Sequence, residues 1–346
     1  MDPPAGAALA PDRTDLLLHA WELERAGRMV ELRALLEGLD PAVLVDEADL
    51  GVLLSSTYLH LRDLEAAGRL LERLAPTCRG RRNDRLHRRY LNLTGVMLMH
   101  GGRLDASRQV QHELMGKSLA ANDASTLLWC TMHLALIHHK KCEWAQAVAH
   151  HNRALLLART VDGGQWLSGV HHNFAYTYRG MGLLDASQRQ LDASRRLPRP
   201  DYLPLASELE RAELARAHGD LDMAQSLALR AHAGYVAHGT GAGIAATCTT
   251  LACIEMDRGR LDRARAVLDE ARGALSPDEV VEWGELWEHV AVLERLDGRP
   301  EESAAAQARA TAIYTRMDAP RRIAAMLRRL GGPRSVRLSE IPIHRG

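Results

Sequence analysis

Aromatic residues are scarce in this sequence: Phe, Trp and Tyr make up 4% of its 346 residues, and Phe occurs once. Sheets are enriched in aromatic and β-branched side chains, whereas Ala, Leu and Arg, which are abundant here, favour helices. The composition therefore predicts an all-α protein and excludes a sheet-rich fold.

The chain also lacks net charge, because Lys plus Arg and Asp plus Glu both number 44. A neutral chain has no overall field to guide it to nucleic acid, so we predict no direct nucleic-acid partner. No apolar run approaches the roughly 18 residues of a membrane span, and the amino terminus has no basic segment followed by an apolar core. These absences predict a cytoplasmic protein without membrane contact.

Cysteine is sparse and shows no CxxC pair; the five residues are Cys78, Cys130, Cys142, Cys248 and Cys253. An odd number without a regular framework is typical of reduced intracellular thiols.

The glycine-rich GTGAG at 239–243 follows a predicted helix rather than a strand, so it lacks the context of a dinucleotide-binding turn, and we interpret it as a link. We therefore predict no cofactor.

What the sequence does contain is an internal repeat. The segment GGRLDAS has echoes in AGRMVEL, LRDLEAA, KCEWAQA, MGLLDAS, HGDLDMA, RGRLDRA and DGRPEES. Successive copies are 35 to 40 residues apart, and we name the shared position the turn slot. It is occupied by Gly27, Arg62, Gly102, Cys142, Gly182, Gly219, Gly259 and Gly298. Glycine suits a left-handed turn between antiparallel helices, so Arg62 and Cys142 need a strained or different turn.

Small residues recur at two fixed distances from the turn slot. Seven residues before it lie Ala20, Ser55, Gly95, Ala135, Ala175, Ala212, Ala252 and Ala291. Five residues after it lie Leu32, Ala67, Ser107, Ala147, Ser187, Ala224, Ala264 and Ser303. Because small side chains let two helices approach closely, each copy is predicted to be a helical hairpin with one such contact point on each helix.

Helices of about 16 residues follow from this spacing, for example 125–141 with 144–160, and 244–258 with 261–275. Helix-breaking residues, chiefly Pro, Gly, Asn and Asp, predict links between successive hairpins. These links are Pro76 to Asn83, Asp162 to Gly164, Pro198 to Pro204, Gly239 to Gly243 and Ser276 to Glu279. A short helix from Pro320 is expected to cap the last unit. We predict a flexible amino terminus (1–12), one superhelical domain (13–330) and a loose tail (331–346).

Small residue, glycine turn and small residue together resemble the tetratricopeptide repeat (TPR), most clearly in HHNFAYTYRGMGLLDAS at 171–187. A period near 40 is similar to the longer repeats of MalT-like regulators and kinesin-light-chain-type arrays. The resemblance implies a right-handed α-solenoid of about eight hairpins. MalT-like regulators join such an array to an ATPase and a DNA reader, for which the present sequence has no room, so we expect a free-standing array.

The resemblance also implies a concave ligand-binding stripe about ten, six and three residues before each turn slot. Of these positions, the predicted ligand or peptide contacts are Asn92, His139, His172, Tyr176, Arg179, Glu213, Arg216, Met256 and Arg295. Arg179 and Arg216 are candidates to pair with an acidic group of the ligand, and the methionines of the stripe offer adaptable apolar contact.

Two further clusters invite functional interpretations. Histidine is concentrated between His133 and His172, and the Cys130/His133 and His138/Cys142 spacings place potential metal ligands on one helical face. Packing or exposure is the favoured interpretation, so we predict no metal. Arginines from Arg79 to Arg89 straddle a link, and we interpret them as a solvated loop rather than an anion site.

The leading functional hypothesis is a TPR adaptor or regulatory protein that binds a peptide segment or protein partner in its concave groove, and that is not an enzyme. The alternative is a sensor that binds a small effector in the superhelix. A minor alternative is an atypical helical enzyme built on the central histidines. The oligomeric state is left open and includes a homodimer.

Overall fold

The computed structural model describes residues 13–61, 63–80, 84–161, 166–197 and 203–331. Within these ranges the chain forms eighteen helices and no strand. In chain order, α1 to α18 are Arg13–Ala26, Met29–Glu37, Pro41–Asp46, Ala48–His60, Leu64–Gly80, Arg85–His100, Leu104–Ala120, Ala124–Lys140, Trp144–Thr160, Leu167–Gly180, Leu184–Arg195, Leu203–Ala217, Leu221–His238, Gly241–Asp257, Leu261–Ala274, Val280–Leu296, Pro300–Arg316 and Pro320–Gly331.

Consecutive helices pack as hairpins, beginning with α1 and α2 and continuing from α4 and α5 to α16 and α17. These eight hairpins stack in chain order into an α-solenoid, which confirms the predicted fold class. The predicted helices 125–141 and 144–160 correspond to α8 and α9 within one residue at each end. Local capping supports these boundaries, because the Asp123 carboxylate accepts a hydrogen bond from the backbone N–H of Thr126 at the start of α8.

The turn slots have the predicted left-handed backbone. All six glycines of the slot have φ between +72° and +84°. Cys142 has φ of +56°, so its turn keeps the glycine geometry at the steric cost that a side chain brings there. Arg62 lies outside the described residues.

The two small positions of each hairpin meet as predicted. Ala175, Ala252 and Ala291 of the first set are fully buried, as are Ala147 and Ala264 of the second. Where the second position is serine, its hydroxyl donates a hydrogen bond to the carbonyl oxygen of the first position. The three such pairs are Ser107 to Gly95 at 2.6 Å, Ser187 to Ala175 at 2.8 Å and Ser303 to Ala291 at 2.8 Å. These serines therefore join the helices of a hairpin as well as leaving room for them.

Three of the predicted links are wrong in part. Helix α12 begins at Leu203, inside the link predicted from Pro198 to Pro204. Helix α5 continues through Pro76 to Gly80, and its last turn is anchored because Cys78 is buried and its carbonyl oxygen accepts a hydrogen bond from His87 Nδ1. Helix α14 begins inside the GTGAG segment, at Gly241. A Cβ at Gly241 would lie 2.3 Å from the carbonyl oxygen of Ala274, and one at Gly243 would lie 2.2 Å from the Tyr235 ring. Both glycines are thus needed for close helix packing.

The first hairpin departs from the pattern. Its second helix has only nine residues, Leu32 fills the position that is small in the other hairpins, and an additional short helix, α3, precedes α4. Leu32 is fully buried in a core shared by α1 to α6. The larger side chain therefore compensates for a shorter helix.

The solenoid closes on itself between the third and fourth hairpins and the eighth. Lys141, after α8, donates hydrogen bonds to Asp105 and to Asp318, each at 2.9 Å, although Asp318 is 177 residues away. A Cβ at Gly102 would lie 2.9 Å from Val280 Cγ1 of α16. These contacts join the third and fourth hairpins to the eighth across the solenoid.

Helix α18 caps the array as predicted, with Met326 and Leu330 buried against the last hairpin. It also does more than cover the end, since the guanidinium of Arg322 reaches Glu288 of α16 at 3.3 Å. Residues 1–12 and 332–346, for which a flexible terminus and a tail are predicted, lie outside the described residues.

Candidate functional site

The carboxyl-terminal part of the predicted concave stripe forms a chain of ion pairs. Arg179 Nε donates to Glu210 Oε1 at 2.6 Å, and its Nη1 lies 3.7 Å from Glu213. Arg216 lies between Glu213, at 3.3 Å, and Asp257, at 2.9 Å. The two arginines predicted to receive an acidic ligand thus have carboxylate partners within the protein.

Burial and ion pairing shift the pKa values of these groups in opposite directions. Burial alone would raise the pKa of Glu213, but the positive charges of Arg216 and Arg179 more than reverse this and lower the pKa to about 2. Burial likewise disfavours the charged form of Arg179, yet Glu210 and Glu213 raise its pKa. Both groups are charged and each has two partners of opposite charge, so removal of one partner would leave the remaining buried charge only partly compensated.

His139 and Tyr176, also in the predicted stripe, stack on each other with ring centroids 4.1 Å apart. Arg179 lies over the Tyr176 ring at 5.4 Å. Burial lowers the pKa of His139 and of His172, so both imidazoles are neutral at pH 7. These rings form a packed layer across α8 and α10.

The remaining predicted contacts are scattered. Met256 is buried in the core of the last hairpins, whereas Arg295 is exposed near the end of α16. Asn92, on α6, lies far along the chain from them, where its Oδ1 is 3.1 Å from His133 Nδ1. The stripe is therefore divided, with Asn92 apart from the other eight residues.

The interior of the last hairpins is closed by α18. Burial would raise the pKa of Glu288, but the guanidinium groups of Arg322 and Arg329 lower it to about 2. The Tyr314 hydroxyl donates to the same carboxylate at 2.9 Å. The charge of Arg322 also acts on Tyr176 and Cys142, so α18 links the eighth hairpin to the fourth and fifth.

An open site lies at the other end of the concave side. A cavity of about 1220 Å³ is enclosed by α1, α4, α6 and α8 with the segments that follow α7 and precede α10. Asn92 lines it, as do Val96, Met99 and Leu136 of the same predicted stripe. We name it the amino-terminal cavity.

Tryptophan forms much of the apolar wall of the amino-terminal cavity. Trp21, Trp129 and Trp166 line it, which is half of the six tryptophans of the chain. Trp129 and Trp166 meet edge to face with centroids 4.4 Å apart. The indole Nε1–H of Trp21 is buried and has no acceptor among the described residues.

Arginines from the predicted basic cluster form the polar wall. Arg88 pairs with Asp123 at 2.9 Å, Arg89 pairs with Glu24 at 2.6 Å, and Arg85 lies 4.9 Å from the centre of the Trp21 ring. The interpretation of this cluster as a solvated loop is wrong for Arg88 and Arg89, because α6 begins at Arg85 and its first turns direct both side chains into the cavity. Arg85 also lines the cavity but is exposed, and Arg81 and Arg82 lie outside the described residues. Four arginines and two carboxylates line the cavity, so positive charge exceeds negative by two.

The central histidines have separate partners. His138 lies 2.6 Å from Glu143 and stacks on His150, while His171 meets Gln190 and His151 meets Thr177. Among the described residues, the predicted Cys130/His133 and His138/Cys142 pairs belong to no cluster of three potential metal ligands.

No protein-family model matches the sequence, and no curated protein matches it. Solved structures do. A chain of the "APC/C hetero-tetramer Cut9-Hcn1" aligns with a TM-score of 0.62 at 15% identity, over 93% of this chain and 57% of its own length. The "Rap Protein Complexed with Competence and Sporulation Factor" aligns with a TM-score of 0.60 at 13% identity, over 92% of this chain and 96% of its own. The chain has a tetratricopeptide-repeat fold.

The alignment with the Cut9-Hcn1 chain covers little more than half of that chain's length.

Among the described residues, no helix is both long and apolar enough to cross a membrane. Of the nine contacts predicted from the sequence, Asn92 lines the amino-terminal cavity. Trp21, Trp129 and Trp166 line it too but are not among the predicted contacts. Trp129 lies three residues before Met132 of the stripe, one helical turn away, which is the one sequence signal that connects these tryptophans to the concave side.

Proposed function

We propose that the protein is a TPR adaptor or regulator that binds a peptide segment of a partner in the amino-terminal cavity. The observation that carries this proposal is the cavity itself, which combines three tryptophans with the exposed guanidinium groups of Arg25 and Arg85. Binding sites usually combine an apolar lining with a few convergent polar groups. The complementary ligand is a segment with an apolar or aromatic anchor beside acidic groups.

The divided stripe gives its residues different roles in this proposal. Asn92 contacts the peptide, whereas His139, His172, Tyr176, Arg179, Glu213, Arg216 and Met256 form the closed wall that holds the solenoid in shape, and Arg295 lies at its edge. Support comes from the ion pairs of Arg179 and Arg216, because a ligand carboxylate would have to displace an existing one. The Rap structure is of the same fold and is described as complexed with Competence and Sporulation Factor.

The test is selection from a random peptide library on the reduced, full-length protein. Selected peptides are expected to be acidic with an aromatic anchor and to change the fluorescence of the cavity tryptophans. Arg25→Glu with Arg85→Glu reverses two exposed charges at the cavity and is expected to weaken binding at least about tenfold, since each charged contact contributes about 1.5 kcal/mol or more.

The matched control is Arg263→Glu with Arg328→Glu, which makes the same charge change at exposed positions of α15 and α18. It is expected to leave binding unchanged. Selected peptides that bind the cavity variant as tightly as the wild type would contradict the assignment of the site.

A small effector in place of a peptide has one observation in its favour, the enclosure of the cavity by several hairpins. Its volume of about 1220 Å³ exceeds the roughly 300 to 1,000 Å³ of most small-molecule pockets, which favours the peptide. A melting screen against metabolites separates the two, because a saturating ligand stabilises the folded state by about 2.7 kcal/mol at one hundred times its dissociation constant.

A further inference from the structure

Three side chains of three consecutive helices converge on the outer side of the sixth and seventh hairpins. They are His232 of α13, Cys248 of α14 and Glu270 of α15, and one potential ligand atom from each lies within 4.8 Å of the others. His232 Nε2 is 3.5 Å from Glu270 Oε1, and Cys248 Sγ is 3.8 Å from the nearer ring nitrogen, Nδ1. Tetrahedral zinc, with bonds of about 2.0 to 2.3 Å, holds its ligand atoms roughly 3 to 4 Å apart, as Nε2 and the carboxylate are. The thiol has to move from its place beside Nδ1 toward Nε2 to complete the set.

Thr247 sets the tautomer of His232. Its hydroxyl donates to the carbonyl oxygens of Gly243 and Ile244, at 3.0 and 2.8 Å, so it accepts from the Nδ1–H of His232 at 3.0 Å. The lone pair of a neutral imidazole is then on Nε2, where it faces the Glu270 carboxylate. Two lone pairs repel at this distance unless a cation lies between them, either a proton, which makes the contact an ion pair, or a metal ion. Metal-bound histidines commonly donate their other ring N–H to a neighbouring acceptor in this way.

Cys248 supplies a soft ligand that only a metal would ionise at neutral pH. Its side chain is fully buried, and burial together with the negative charge of Glu270 raises the pKa of the thiol to about 12. A divalent metal replaces the thiol proton, which passes to solvent, and the metal–sulfur bond forms. Glu270 is exposed and gives the ion a path to the site.

We infer that His232, Cys248 and Glu270 bind one zinc ion through three protein ligands, with water in the fourth position. Imidazole, thiolate and carboxylate together suit zinc better than magnesium or calcium, which prefer oxygen alone. Because α13 belongs to the sixth hairpin and α14 with α15 to the seventh, the ion clamps two successive repeats. This inference is independent of the peptide proposed for the amino-terminal cavity.

The test uses the reduced full-length protein after removal of metals, titrated first with Co²⁺ and then with Zn²⁺. One equivalent of Co²⁺ is expected to produce the charge-transfer absorption of a cobalt–thiolate bond, and Zn²⁺ is expected to remove it by displacement. Cys248→Ala should abolish the band. Cys253→Ala, a buried thiol on the same helix that is not in the cluster, should retain it.

Glu270→Gln provides a variant at an exposed position that does not disturb the core. It is expected to weaken zinc binding at least about tenfold, since even residues that only support ligands change metal affinity by that much. Absence of the cobalt–thiolate band from the wild type, or its persistence in Cys248→Ala with the helical circular dichroism unchanged, would overturn the inference.

Discussion

Along helices α1 to α8 the concave side encloses a cavity of about 1220 Å³, whereas along α10 to α18 the same side is filled by paired charges and by the capping helix. Apart from Leu32 in the first hairpin, both regions are built from one type of hairpin, with small contact points and a left-handed turn wherever the turn slot is described. The difference arises at the concave positions, where the first region presents Asn92, Val96 and Met99 and the second presents Arg179, Glu213 and Arg216.

The comparison shows that the repeat specifies the backbone and leaves the interior to be decided by a few side chains. Charges of opposite sign on successive first helices neutralise each other across the solenoid, so they hold neighbouring hairpins together. In the first region the arginines of α6 also have partners, Asp123 and Glu24, but these lie at the edge of an open volume. One region is therefore suited to stability and the other to binding.

The largest expected effect is on the closed region. Glu288→Ala removes the carboxylate that Arg322 and Arg329 share, leaves Arg322 with the more exposed Glu285 at 3.5 Å, and leaves the Tyr314 hydroxyl without its acceptor. The expected cost is about 3 to 5 kcal/mol of unfolding free energy. Urea unfolding followed by circular dichroism measures it. Glu47→Ala is the control, because the exposed Arg13–Glu47 pair is expected to contribute at most about 1 kcal/mol. Equal effects of the two variants would show that the closed region is not held by its buried charges.

The next effect tests the irregular first hairpin, which borders the cavity. Leu32→Ala restores the small residue of the other hairpins, but the fully buried leucine fills space that the short α2 leaves, so we expect a loss of about 2 to 5 kcal/mol. The reciprocal change, Ala264→Leu in α15, is expected to cost about 1 to 3 kcal/mol through overpacking. Stability unchanged by Leu32→Ala would mean that the first hairpin packs like the rest.

Much of the fold could be predicted from the sequence because hairpin geometry is local. The spacing of Gly182, Ala175 and Ser187 fixes a turn and one helix contact within 13 residues. The cavity and the closure could not be predicted, because they depend on small rotations accumulated over many hairpins. Lys141 and Asp318 meet only after the chain has completed this path. Arg179 likewise finds Glu210, which lies one position beyond the predicted stripe.

Acid should affect the cavity wall and the packed layer beside the closed region differently, through His133 of α8 and His151 of α9. Burial, with a smaller contribution from His150, lowers the pKa of His151 to about 3, whereas burial lowers the pKa of His133, at the cavity wall, to about 4. Because both folded values lie below the unfolded value near 6.5, their stabilising contribution is complete above pH 6.5 and is lost as pH falls through the folded pKa. Between pH 6.5 and the folded pKa the loss is about 1.4 kcal/mol of unfolding free energy per pH unit. His151 alone is therefore expected to lower the unfolding free energy by roughly 2 kcal/mol at pH 5.

Histidine NMR titration measures both values. His151→Gln is expected to make the loss of stability between pH 7 and pH 5 shallower, as measured by urea unfolding at each pH. If the measured pKa of His133 is near 6.5 while that of His151 is near 3, His133 is in contact with water in the cavity. The difference in pKa between the two histidines would then be larger than we expect. If His151 titrates near 6.5, the central layer is not closed.

The smallest expected effect measures the closure between the two regions. Gly102 and Gly298 occupy the same turn slot with φ of +72° and +74°, so alanine brings the same backbone cost, about 1 to 2 kcal/mol, at either position. At Gly298 the new Cβ meets nothing within 4 Å, but at Gly102 it would lie 2.9 Å from Val280 and 3.1 Å from Met317 across the closure. Gly102→Ala should therefore cost a further 1 kcal/mol or so through overpacking. Hydrogen exchange should show this excess at α16 and α18 as faster exchange, whereas identical stability and exchange in the two variants would mean that the solenoid is open in solution.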